Sequence, residues 1–176
     1  ENNGAGYTDD YFPNNYAYIR KAWLVYENID KVADMSDRDK AIVKAEMQVL
    51  VAFRYVEMLK RYGGVPLVES TLTTVDVRPR STVQQTLDFI VGLCDAAAAT
   101  LEGVRWPADW LGRVNKGVAL AVKAEALMYA ARPLFNADAP YMQMADPANN
   151  EMIWLGGYDA KRWETARLAN QEVIDW

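Results

Sequence analysis

The sequence predicts an all-α protein: antiparallel helix pairs of the tetratricopeptide type, joined by long aromatic-rich loops. Three observations carry this reading. Apolar residues recur three and four apart over five segments, the period of a helix with a buried face. Alanines line several of those stripes, so neighbouring helices can approach closely. The period-two alternation of a half-buried strand is scarce. With 176 residues, 51% of them hydrophobic, the chain can bury a substantial core, and 1–176 is read as part of a single helical domain.

The first helix is expected over about 15–33, where Ile19, Ala22, Tyr26, Ile29 and Ala33 form a stripe that Trp23 widens. The second is expected over about 39–62. Ile42, Ala45, Val49, Ala52, Val56 and Leu59 make one face, and Val43, Met47, Leu50 and Met58 a second, which predicts neighbours on two sides. Gly63 then closes it in a left-handed conformation, and Pro66 forces "VPLV" into an extended strip packed back on the helices. Residues 71–81 read as a plain polar linker. The third helix, about 82–101, opens on a capping box of Ser81 and Gln84. Its stripe is Val83, Leu87, Ile90, Cys94, Ala97 and Leu101, so Cys94 reads as a small buried hydrophobe. The fourth, about 115–132, is alanine-rich and ends at Pro133. The fifth follows Asp159 as N-cap, with Trp163, Ala166, Ala169 or Asn170, and Val173 on its stripe. Trp23, Phe53 and Trp163 are assigned to structure. The connections 102–114 and 133–158 are long and rich in aromatic residues, which argues for function more than for disorder.

Composition excludes several functions. A net charge of −5 with no basic cluster argues against nucleic acid as a partner. No histidine is present and cysteine occurs once, so no metal site is expected, and neither is an internal disulfide. No nucleotide-binding or hydrolase motif appears, and no cofactor is expected. Both ends read as cuts within a longer protein.

Two blocks resemble a known family. "AEMQVLVAFRYVEMLKRYGGVPLV" is similar to the signature of SusD-like (RagB/SusD) proteins, A-E-x-x-x-L-R-A-x-x-Y-x-x-L leading into Y-G-x-V-P-L. It matches at Ala45, Glu46, Leu50, Ala52, Tyr55, Tyr62, Gly63, Val65, Pro66 and Leu67. "LGRVNKGVALAVKAEALMYAARPLFN" resembles the second signature at Gly112, Arg113, Lys116, Gly117, Ala119, Leu120, Lys123, Ala124, Tyr129, Pro133, Phe135 and Asn136. "MIWLGGYDAKRWETARLANQEVID" looks like the family's next helix. Val51 stands where the family usually has Arg, and Arg132 where Ser is common.

The resemblance implies a non-enzymatic lipoprotein on the outer face of the outer membrane. Such proteins bind glycans or other nutrients and cover a SusC-like TonB-dependent transporter. The membrane contact it implies is an N-terminal lipid anchor outside this chain, since Cys94 lies mid-helix. Sugar binding needs flat aromatic faces for the C–H face of a pyranose. The loop aromatics Trp106, Trp110, Tyr141 and Trp154, with Tyr11 near the start, are therefore the candidate ligand-binding residues. Packing beneath a long loop is the competing role for each. The acidic stretches at 8–10 and 33–39 read as solvated turns and caps. A helical-repeat scaffold docking peptides is the alternative function, and a glycosidase with unrecognised carboxylates the third.

Overall fold

The computed structural model of the chain describes residues 11–72, 74 and 76–176; the acidic turn read at 8–10 lies outside them. Five α-helices form among the described residues: α1 (Tyr11–Asn28), α2 (Asp37–Tyr62), α3 (Val83–Thr100), α4 (Lys116–Ala131) and α5 (Lys161–Asp175). Short 3-10 helices follow α1 at Ile29–Lys31 and interrupt the two long connections at Ala108–Trp110 and Pro147–Met152. No strand forms among the described residues. Each helix packs on the next, and α2 also touches α4. None of the described helices is long and apolar enough to cross a membrane.

The helices start where side chains can satisfy their first N–H groups. Ser36 accepts from Asp39 N at the start of α2, and Asn115 from Val118 N at the start of α4. The capping box of α3 lies one residue later than the spacing predicts, on Thr82 and Gln85. The N-cap of α5 is Ala160, one residue later than predicted, and Asp159, just before it, instead accepts from Lys161 N at 2.9 Å. The first helix starts earlier than predicted, since Pro13 is tolerated in a first turn, and stops at Asn28, which leaves Ala33 exposed.

The core follows the predicted stripes with one shift. Every apolar residue predicted on the α3 stripe is buried. Burial pushes the Cys94 thiol up to about 12, so it stays protonated. On α2 the second buried face is Val51, Tyr55 and Met58, which adjoin the first face in one wide arc. Leu50, predicted there, is 43% exposed, and Val43 and Met47 are half-buried. On α5 only Ala166 and Ala169 are buried; Trp163 lies on the exposed side, as Phe53 does on α2.

The strip after α2 ties α1 and α2 together. Val65 is fully buried, the Pro66 carbonyl accepts from the Tyr16 and Tyr55 hydroxyls at 2.7 and 3.3 Å, and Trp23 Nε1 donates to the Val68 carbonyl at 2.8 Å. Gly63 differs from expectation. Its φ of 73° is positive, but its ψ of −134° lies outside the left-handed helical region, in territory open to glycine. That geometry brings Gly64 N to 2.7 Å from the Met152 carbonyl and seats the 133–158 connection on the corner. Residues 71–81 are also more than a linker, because Arg80 donates to the Tyr62 and Gly64 carbonyls and so caps the end of α2.

Candidate functional site

The connection between α3 and α4 is short of regular structure and relies on its own side chains for shape. Gly103 and Gly112 turn the backbone through positive φ on either side of a 3-10 turn that Pro107 starts. Trp106 and Trp110, four residues apart, bracket that turn and stack with centroids 6.0 Å apart at an interplanar angle of 30°. The Arg113 guanidinium lies 3.8 Å from the Trp106 ring centre and 4.6 Å from that of Trp110. Cation–π contacts of this kind are worth about 0.5–2 kcal/mol.

Arg113 is held in turn by Glu46 on α2. Its Nε donates to Oε1 at 2.9 Å, and its Nη2 to Oε2. Those bonds hold the guanidinium still more firmly in its charged form. Glu46 is buried, so its carboxylate needs that fork. Glu46 stands in the first motif block and Arg113 in the second, and their pairing joins the blocks, as the Lys60–Glu125 pair does between α2 and α4. Trp106 Nε1 donates to the Val114 carbonyl at 2.9 Å and the ring is half-buried, whereas Trp110 is 53% exposed.

The pair faces a groove of about 380 Å³. Met35, Ile42 and Val43 supply its apolar part, and Asp34 and Asp39 its carboxylates, all from the α1–α2 turn and the start of α2. An indole face beside carboxylate acceptors suits a pyranose, which has an apolar C–H face and a rim of hydroxyl donors. A larger groove of about 690 Å³ runs along α3, α4 and α5. Its lysines are already engaged, Lys123 with Asp95 and Glu172, and Lys116 with Glu102.

The other predicted residues lie elsewhere. The Tyr11 hydroxyl donates to Glu57 at 2.7 Å, and the Arg61 guanidinium covers its ring at 3.8 Å. Glu57 and Asp39 are eighteen residues apart on α2, about 27 Å along its axis. Trp154 Nε1 closes the 133–158 connection on the Ala137 carbonyl at 2.8 Å, and Tyr141 is 62% exposed on that connection. Trp106 and Trp110 are thus brought together, and no described ring contact or groove joins Tyr11, Tyr141 or Trp154 to them. The groove's acidic residues read from sequence only as turns and caps; nothing in their local spacing signals that a distant loop folds over them.

Comparison with known proteins places the chain. A SusD-like family model, described as starch-binding associating with outer membrane, matches residues 1–131. The solved structure of BT4246 is 30% identical with a TM-score of 0.79, covering 93% of this chain and 29% of its own. A SusD-like protein from Bacteroides fragilis is 32% identical with a TM-score of 0.64, covering 70% of this chain and 24% of its own. Surface glycan-binding protein A from Bacteroides uniformis shares the fold at 19% identity and a TM-score of 0.68, covering 96% of this chain and 32% of its own. The chain spans about a third or less of the length of these structures. No curated protein matches it by sequence.

Proposed function

This chain belongs to the SusD-like family of starch-binding proteins associating with the outer membrane, and from that premise we propose that it is part of a non-catalytic, cell-surface glycan-binding protein. In this reading it works with a SusC-like TonB-dependent transporter in oligosaccharide uptake. It faces outward, held by a lipid anchor outside this chain. The observation that carries the binding role is the stacked Trp106–Trp110 pair, braced by Arg113 and open to a groove with carboxylate acceptors. Trp110 offers the exposed face, and Trp106 supports it. Tyr141, also exposed, and Trp154 and Tyr11, each tied by hydrogen bonds, stay as secondary candidates for other contacts with a long glycan.

Calorimetric titration of the full-length protein with a panel of oligosaccharides tests this. Binding should fall by about tenfold or more for Trp110→Ala, since loss of one stacking face costs on the order of 1–3 kcal/mol, as for bases on aromatic platforms. A Trp110→Ala variant that binds every glycan as well as the wild type rules out the platform. Pull-down from membranes should recover a large β-barrel transporter. Recovery of soluble proteins alone favours the scaffold reading, and product formation from a glycan would mark an enzyme.

A further inference from the structure

The groove beside the tryptophan pair is unevenly charged, and the selectivity this charge would impose rests on the proposed glycan platform at Trp110. Asp34 and Asp39 line the groove on one side. Asp34 makes no hydrogen bond or ion pair among the described residues. Asp39 accepts only from its own helix start, including the Ser36 hydroxyl at 2.6 Å. The cation lining the groove, Arg113, spends its Nε and Nη2 on Glu46. The buried Glu46 thus already balances the guanidinium, Asp34 and Asp39 are left on the groove lining, and the excess is negative. A carboxylate is an acceptor only. A ligand seated on Trp110 must bring donors to this side, as sugar hydroxyls or an ammonium group do. A uronate or sulfate group brings none, and meets like charge besides.

We infer that Asp34 and Asp39 are specificity-determining residues of this groove. They admit neutral and amino-bearing sugars and turn away uronate and sulfated ones. The discrimination is electrostatic at an exposed site, so each carboxylate contributes about two- to fivefold at low ionic strength, and salt weakens it.

The test titrates the full-length protein at low ionic strength with three kinds of probe. These are neutral hexasaccharides of glucose, mannose and xylose, a chitosan hexamer, and a hexagalacturonate. The neutral or chitosan probes should bind through Trp110 and the hexagalacturonate should not. Asp34→Asn with Asp39→Asn should raise hexagalacturonate affinity severalfold and lower chitosan affinity. Asp34→Asn alone should likewise raise hexagalacturonate affinity and lower chitosan affinity, each by less, and because Asp34 holds nothing in place its folding is not at risk. Trp110-dependent binding of hexagalacturonate as tight as that of the neutral probes would overturn the inference. So would asparagine variants with unchanged preferences. Either result leaves the platform intact. Binding of every probe independent of Trp110, or no binding at all, overturns the platform and this inference with it.

Discussion

A methyl group at Gly64 would sit 2.0 Å from the Ser81 carbonyl oxygen, closer than any side-chain carbon can lie, and 2.7 Å from the Thr82 carbonyl carbon. Backbone, not a flexible side chain, fills the space, so nothing can swing aside. At Gly63 a methyl would meet the Met152 carbonyl oxygen at 2.3 Å with φ at 73°. The two glycines are therefore required by close approach from two directions, the start of α3 and the 133–158 connection. Gly64→Ala should cost about 3 kcal/mol or more, in the range of strained backbone positions. Chemical denaturation would read this as a lower midpoint at unchanged slope. A loss below about 0.5 kcal/mol would show that the corner can open. The sequence makes a turn at these positions legible, through two glycines and a proline after an apolar helix. It does not reveal why both must be glycine, because the crowding atoms belong to Ser81, Thr82 and Met152, far along the chain.

Between elements, the link richest in charge is centred on Glu57. Its carboxylate accepts from Tyr11 of α1 and Arg61 of α2 and pairs with Lys60, which also reaches Glu125 of α4. Burial alone would raise the Glu57 carboxyl, but the hydrogen bonds from Lys60, Tyr11 and Arg61 outweigh it and bring it from 4.5 down to about 2. A depressed carboxyl stabilises the fold above its ordinary value, and that contribution fades as pH falls through the folded one. The stability gap between wild type and Glu57→Gln should thus be constant near neutral pH. It should narrow from about 4.5 down to about 2. A gap that widens on acidification would refute the assignment. The helices themselves were legible from periodicity and caps, including the α3 stripe through Cys94. The segment 71–81 was not, because Arg80 acts on carbonyls that only the folded corner brings within reach. Leu50 misled for a related reason. A period-based reading gives α2 two apolar faces, while packing against α1, α3 and α4 selects one wide arc and leaves Leu50 outside it.

Across the whole molecule, family and architecture were legible because they reside in local motifs, whereas the site had to be assembled from distant ones. Trp106 and Trp110 stood out as loop aromatics, but Asp34, Asp39 and the Glu46–Arg113 fork join them only through packing of the α3–α4 connection over α2. The same packing grades stability along the array. Helix α2 buries residues along its whole length and touches α1, α3 and α4; α5 buries only Ala166 and Ala169 and packs on α4 alone among the helices. The start of α5 is tied down, since Arg162 donates to Asn136, Leu155 and Gly157. Its end rests on Trp176 against Gly117 and on the Lys123–Glu172 pair, which is half-exposed on the glutamate side. Regions with few buried contacts open at lower free energy than the core. Native-state hydrogen exchange on this chain should therefore give the strongest protection in α2 and α3. Protection should fall through α5 from its Arg162 end toward Asp175. Equal protection along α5 and α2 would mean that the five helices unfold as one unit, and that the Gly117–Trp176 contact carries far more than two buried alanines suggest.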